Sequence, residues 1–269
     1  FDTQGNYFGI RQDGNHILYV FDASLSMRAG AEGGGRGPTR GGGGRGGGGR
    51  GEFNEKGSRW ALCKKELHKA LDQLTPKKTF NLVGFADRLQ VFSKRMVRAT
   101  PGNVARAHAW IDKVQLELQT NIHDALELAF YIAGRGTRDR YYPVVVDTIF
   151  FLSDGAPTRP TSADGGVNRG GGRGGRGGPP GGGPGGGGRI QRDDANEILN
   201  AVQRWNPLGR IVIHSIGLGL NTGRGGGRRG GGPGGGRGGG GGFGGGAGAR
   251  SFLERLAKQN YGRFVEPDK

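Results

Sequence analysis

The chain is expected to form a doubly wound α/β fold, a mostly parallel sheet with helices on both faces. Three features lead to it. Short β-rich apolar runs alternate with helical patterns along the sequence. Two of those runs end at an aspartate, Asp22 and Asp154, where an open sheet would present ligand-binding groups at the carboxyl edge of its strands. The hydrophobic fraction of 33% is low only because Gly/Arg-rich tracts dilute it. With the tracts set aside it rises to about 43%, ordinary for a globular domain.

Taken in order, 16–21 (HILYVF) reads as a buried central strand ending at Asp22. Ser58 opens a helix in which Leu62, Leu67, Ala70, Leu71 and Leu74 fall near 3.6 spacing, and Pro76 closes it. Residues 79–85 (TFNLVGF) form the second strand. Asp87 and Arg88 turn the chain into a short strand at 89–92, the one antiparallel edge strand expected. Pro101 and Gly102 lead into a helix marked by Val104, Ala107, Ala109, Ile111 and Val114. Thr120 precedes the next, marked by Ile122, Ala125, Leu126, Leu128 and Ala129. A strand at 144–153 is strongest over 149–152, despite Asp147 and Thr148. Asp193 and Asp194 start a helix through Ala195, Ile198, Leu199 and Val202, followed by a strand at 210–216 (RIVIHSI). A helix at 252–259 and a short strand at 262–265 end the pattern.

One domain over 1–269 accounts for this order, interrupted by low-complexity inserts at about 30–51, 165–189 and 223–250. These tracts hold most of the 62 glycines and are expected to be disordered loops. They also hold most of the formal +16, since their many arginines face a single acidic residue, Glu32. The basicity therefore belongs to the tracts and not to the domain surface. The lone Cys63 excludes an internal disulfide and reads as a small buried hydrophobe. No run approaches the ~20 apolar residues of a membrane span. Beginning at Phe1 and not Met, the chain is expected to be an excised domain or a processed product, and no compartment is assigned.

Asp22, Ser24, Ser26, Thr120 and Asp154 are hard oxygen donors of the kind Mg²⁺ (or Mn²⁺) prefers. Each has an ordinary role when taken alone. Asp and Ser after a strand make capped turns, Thr120 could cap a helix, and Asp154 with Gly155 is a common turn. Together, each at the end of a strand or the start of a helix, they point to one metal site. Competing chemistry is absent from the sequence. His16, His68, His108, His123 and His214 contain no i, i+4 metal pair, and the Gly217, Gly219 segment lacks the third glycine of a dinucleotide loop. There is no phosphate-loop lysine and no nucleophile-elbow serine. All three tracts follow strands, so if those strands are parallel, every arginine-rich arm leaves from the metal-bearing edge.

The order Asp22, Ser24, Ser26, then Thr120, then Asp154 and Gly155 resembles the metal-ion-dependent adhesion site of von Willebrand factor type A domains. Segments 120–126 (TNIHDAL) and 150–155 (FFLSDG) support the likeness, which covers the whole chain outside the tracts. Within that family it looks most like bacterial, planctomycete-type domains. The resemblance implies a Rossmann-like fold with Ser24, Ser26 and Thr120 hydroxyls on the metal. Asp22 and Asp154 would act partly through water, and one position would be left for a carboxylate from a partner protein. It implies a binding module and not an enzyme. Two departures stand out: Leu25 and Gln119 occupy positions where many members have glycine. Two alternatives stay open, RNA binding through the RGG-like arms, as in Ro-type proteins with this domain, and service as an accessory subunit of an AAA+ ATPase. The arms carry one aromatic, Phe243, and also read as plain low-complexity spacer.

Overall fold

The computed structural model describes residues 5–30, 57–135, 145–155, 192–220 and 245–267. It opens with a hairpin not anticipated from the sequence. Strands β1 (Asn6–Tyr7) and β2 (Ile10–Arg11) pair antiparallel across Phe8 and Gly9. Those two residues have φ of 49° and 77°, the paired positive values of a two-residue type I′ turn. Phe8 stands where Asn or Asp is usual, which hides the signal. Tyr7 packs its ring edge-on against Tyr19 and Phe150, with centroids 5.3 and 5.5 Å away.

The main sheet comprises β3 (His16–Asp22), β4 (Thr79–Phe85), β5 (Leu89–Val91), β6 (Val97–Arg98), β7 (Thr148–Ser153), β8 (Val212–Gly217) and β9 (Phe264–Val265). Their order is β5-β4-β3-β7-β8-β9, with β6 also pairing with β4. Strand β3 lies parallel to β4 and to β7, β7 to β8, and β8 to β9. The antiparallel edge is shared by two short strands, β5 and β6, which pair with opposite ends of β4. Two-residue β6 is too short to display a period in sequence. Strand β7 begins at Thr148, and Asp147 just before it is engaged with the neighbouring strand. Its Oδ2 accepts the backbone N–H groups of Asn15 and His16 at 2.8 and 3.0 Å, fixing the start of β3.

Alternation along the strands sorts the core into two layers. Ile17, Tyr19, Phe21, Phe80, Leu82, Phe150 and Leu152 face one side, against α1 (Arg59–Asp72) and α2 (Pro101–Ile111). Leu18, Val20, Val83, Phe85, Ile149 and Phe151 face the other, against α3 (Ile122–Phe130), α4 (Arg192–Trp205) and α5 (Gly245–Gln259). Both faces are covered, which is why the strands read as continuous apolar runs. Each large side chain sealed here, such as Phe21 or Phe151, contributes about 1.5–3 kcal/mol.

Cap chemistry sets the helix starts. The Ser58 hydroxyl accepts the Ala61 N–H at 3.0 Å, and Thr100 caps α2 ahead of Pro101. Helix α5 starts at Gly245, so the last residues of the third Gly/Arg tract are helical. The rest of the tracts, and the expectation that they are disordered, lie outside the described residues apart from Gly30. Ahead of the three tracts the chain leaves the described residues at Gly30, Gly155 and Leu220, each past the carboxyl end of β3, β7 or β8. No described helix is long and apolar enough to cross a membrane.

Candidate metal centre

Asp22 is the last residue of β3 and shares the face of Leu18 and Val20. It is fully buried. Its Oδ1 accepts the Ser24 N–H at 2.8 Å and its Oδ2 accepts the Ser153 hydroxyl at 2.9 Å. Ser24 then starts a short 3-10 turn, Leu25–Arg28, which carries Ser26 alongside it. The Ser24 and Ser26 hydroxyl oxygens are 2.7 Å apart, and Ser26 donates to Asp154 Oδ1 at 2.7 Å. Because the single Ser26 proton goes to Asp154, the Ser24 hydroxyl donates to Ser26. Asp154 Oδ2 in turn accepts from Arg59 Nη1 at 2.9 Å, and Arg59 Nη2 donates to the Gly219 carbonyl at 3.2 Å. Four of the five residues singled out from sequence thus sit in one connected polar network.

Two buried carboxylates share this network, and the Asp154 side chain is 0% exposed. Burial, and then the nearby Asp154 charge, push the Asp22 carboxyl up to about 7. Hydrogen bonds from Ser24 and Ser153 pull the other way without prevailing. Arg59, itself buried, is committed to Asp154. The described hydrogen-bond partners of Asp22 are all neutral. The oxygens of Asp22, Ser24, Ser26 and Asp154 are the groups here that could hold a hard cation.

Thr120 arrives from the segment between α2 and α3, where it is half-buried. Backbone bonds tie that segment to the strand ends on both sides of it. Glu117 donates to the Ala23 carbonyl at 2.9 Å and accepts from Leu25 N–H at 2.6 Å, while Asn121 N–H reaches the Ala86 carbonyl at 3.3 Å. The helix cap is Asn121 and not Thr120: its Oδ1 accepts the Asp124 N–H at 3.2 Å and its Nδ2 donates to Asp124 Oδ2 at 2.6 Å. The ordinary capping role open to Thr120 therefore belongs to its neighbour. Gln119, at one of the departures from the expected glycines, is held by its N–H, which donates to Asp87 Oδ1 at 3.0 Å.

Sequence reasoning missed Arg59 and Asp87. Asp87 looked like a plain turn residue, yet it accepts the Leu118 and Gln119 N–H groups and so shapes the Thr120 segment. For Arg59 a signal exists. It is the first residue of α1, where the helix dipole disfavours a cation, so an arginine there calls for a specific anionic partner. Gly219 completes the cradle, with φ +61°, and a Cβ there would come within 2.3 Å of Arg59 Nε. His123, near Thr120 in sequence, is engaged elsewhere: its Nδ1 is 3.1 Å from Asp124 Oδ1 and its ring packs on Trp205.

No protein-family model matches the chain. Over 107 residues it is 34% identical to the inter-alpha-trypsin inhibitor heavy chain H2 of Sus scrofa, a stretch covering 38% of this chain and 11% of that protein. Over 96 residues it is 29% identical to heavy chain H4 of Bos taurus, covering 35% and 10%. The chain spans about a tenth of the length of these curated relatives. Among solved structures, a von Willebrand factor type A protein from Catenulispora acidiphila superposes with a TM-score of 0.54 at 12% identity, covering 95% of this chain and 39% of that one. The fold is that of a von Willebrand factor type A domain. The PilB minor pilin from Streptococcus sanguinis is similar at a TM-score of 0.54 and 15% identity, covering 94% of this chain and 58% of the pilin. In this von Willebrand A fold, the end of β3, the segment before α3 and the end of β7 converge at the carboxyl edge.

Proposed function

We propose that this domain binds a Mg²⁺-type ion (Mg²⁺ or Mn²⁺) through Asp22, Ser24, Ser26, Thr120 and Asp154, and with it grips an acidic residue of a partner protein. The observation that carries this reading is the buried carboxylate pair, Asp22 and Asp154, for which Arg59 is the one described counter-charge. With Asp22 ionised, a site of two carboxylates and one guanidinium has a net charge of about −1, which favours uptake of a divalent cation. The donors are carboxylate and hydroxyl oxygens, matched to a hard ion and poorly suited to a thiophilic one.

When bound, the ion would supply a Lewis-acidic position for a partner carboxylate oxygen and bring the site to about +1 overall. The chain's own residues prepare that position. Ser153 and the Ser24 N–H hold Asp22 in place, the Ser24–Ser26 pair is aligned on Asp154, and Arg59 fixes the Asp154 side chain from its other oxygen. We read the ion as a recognition element and not as a catalyst. The likeness to a von Willebrand factor A structure supports this, as does the motif order. Arginine-rich arms, reached from the same edge of the sheet, would add long-range attraction for an acidic surface.

The test is partner capture in Mg²⁺ against chelator. Binding in Mg²⁺ should be lost in chelator and lost again in Asp22→Ala and Thr120→Ala, with unchanged far-ultraviolet circular dichroism. Capture that is indifferent to chelator would sink the mechanism.

A further inference from the structure

Away from the carboxyl edge, α1 and α2 meet at a pair of histidines that the proposed function does not use. His68 of α1 and His108 of α2 present their Nδ1 atoms to each other in direct contact. The ring centroids are 4.6 Å apart and the planes differ by 26°. With the two nitrogens touching, that separation makes the rings meet edge to edge and not face to face. The other nitrogen of each ring is also occupied. His68 Nε2 lies 3.2 Å from Asp112 Oδ1, and His108 Nε2 lies 2.8 Å from Asp72 Oδ1. The bracing is reciprocal, since the carboxylate at the end of each helix orients the imidazole of the other.

This network sets the tautomers. An ionised carboxylate only accepts, so both rings carry a proton on Nε2. Each Nδ1 of a neutral ring then presents a lone pair to its twin. Two lone pairs in contact repel unless something positive lies between them, either a shared proton or a metal ion. Carboxylate-braced imidazoles with their free nitrogens converging are the arrangement that surrounds histidine-bound metals.

We infer that His68 and His108 form a second metal site, a two-histidine clip for a transition-metal cation such as Zn²⁺, Ni²⁺ or Cu²⁺. Imidazole nitrogens suit these ions and not Mg²⁺, so the clip and the oxygen site select different metals. Metal–nitrogen distances of about 2.0–2.1 Å require the rings to part by about an ångström. Both side chains can do this, being 29% and 26% exposed. Solvent reaches the pair and would complete the coordination. The clip is independent of the oxygen site, since His68 lies about 14 Å along α1 from Arg59 at 1.5 Å per residue. An ion held here would cross-link α1 to α2.

The untagged full chain, stripped of metal and then kept in saturating Mg²⁺, is titrated with Ni²⁺ by calorimetry and melted with and without it. One Ni²⁺ per chain and a raised Tm are expected. His68→Ala and His108→Ala should each abolish the Tm rise and weaken Ni²⁺ binding by more than the about 10–100-fold expected for Asp72→Asn with Asp112→Asn. Asp22→Ala should leave Ni²⁺ binding unchanged, which separates this result from the fate of the oxygen site. Stoichiometric Ni²⁺ binding that survives the double His68→Ala, His108→Ala change overturns the inference. So does a wild-type chain that takes up no Ni²⁺.

Discussion

Asp22 concentrates the conflict on which the site depends. Its carboxyl is buried beside a second carboxylate, and the folded chain holds it near 7 against an ordinary value of about 4. Because the folded-state value is raised, the protonated form is favoured by folding. The stability this group contributes is therefore fully present below about pH 4 and lost as pH rises through about 7. In chelator, the wild type should lose stability relative to Asp22→Asn between pH 4 and 8, by up to about 4 kcal/mol. Denaturant melts of the two chains across that range measure the difference, and saturating Mg²⁺ should reduce it at the alkaline end. A difference that stays flat with pH would contradict this account. Arg59 answers the same conflict for Asp154, although it places a cation at a helix N-terminus.

Strands and helices place these residues. The runs at β3, β4, β7 and β8 are legible in sequence because both sheet faces are covered and the apolar character is unbroken. The β1–β2 hairpin and β6 are not legible, being two residues per strand and too short for a period. The start of α3 matters most to the site, for Asn121 both caps the helix and borders Thr120. Asn121→Ala should cost about 1 kcal/mol of stability through the lost cap. It should also weaken Mg²⁺ binding, since the Thr120 segment then loses one of its anchors. Calorimetric titration with Mg²⁺ alongside a denaturant melt checks both effects, and an unchanged Mg²⁺ affinity would show that the cap does not hold Thr120.

Across the whole molecule, parallel topology gathers the ends of β3, β7 and β8 at one edge, and the chain departs for its Gly/Arg segments from there. The first departure returns to its origin. Gly30 and Ser58 form an antiparallel bridge, and Arg59 N–H donates to the Ala29 carbonyl at 2.9 Å. Replacing 31–56 with a four-residue turn should therefore leave the fold intact and raise stability by about 1–2 kcal/mol, the closure entropy recovered. A melt of the shortened chain measures this, and a loss of stability would mean that the excised segment packs on the domain. Local chemistry is written into the chain directly: periodicity gives the strand–helix order, and oxygen donors at element ends nominate Asp22, Ser24, Ser26, Thr120 and Asp154. Partnerships across the fold are not, because they join residues far apart in sequence whose types have common local roles. Arg59 meets Asp154 95 positions away, and His68 meets His108 40 positions away. Only the packing of α1 against the sheet edge and against α2 turns an ordinary first-turn arginine into a counter-charge, and two scattered histidines into a pair.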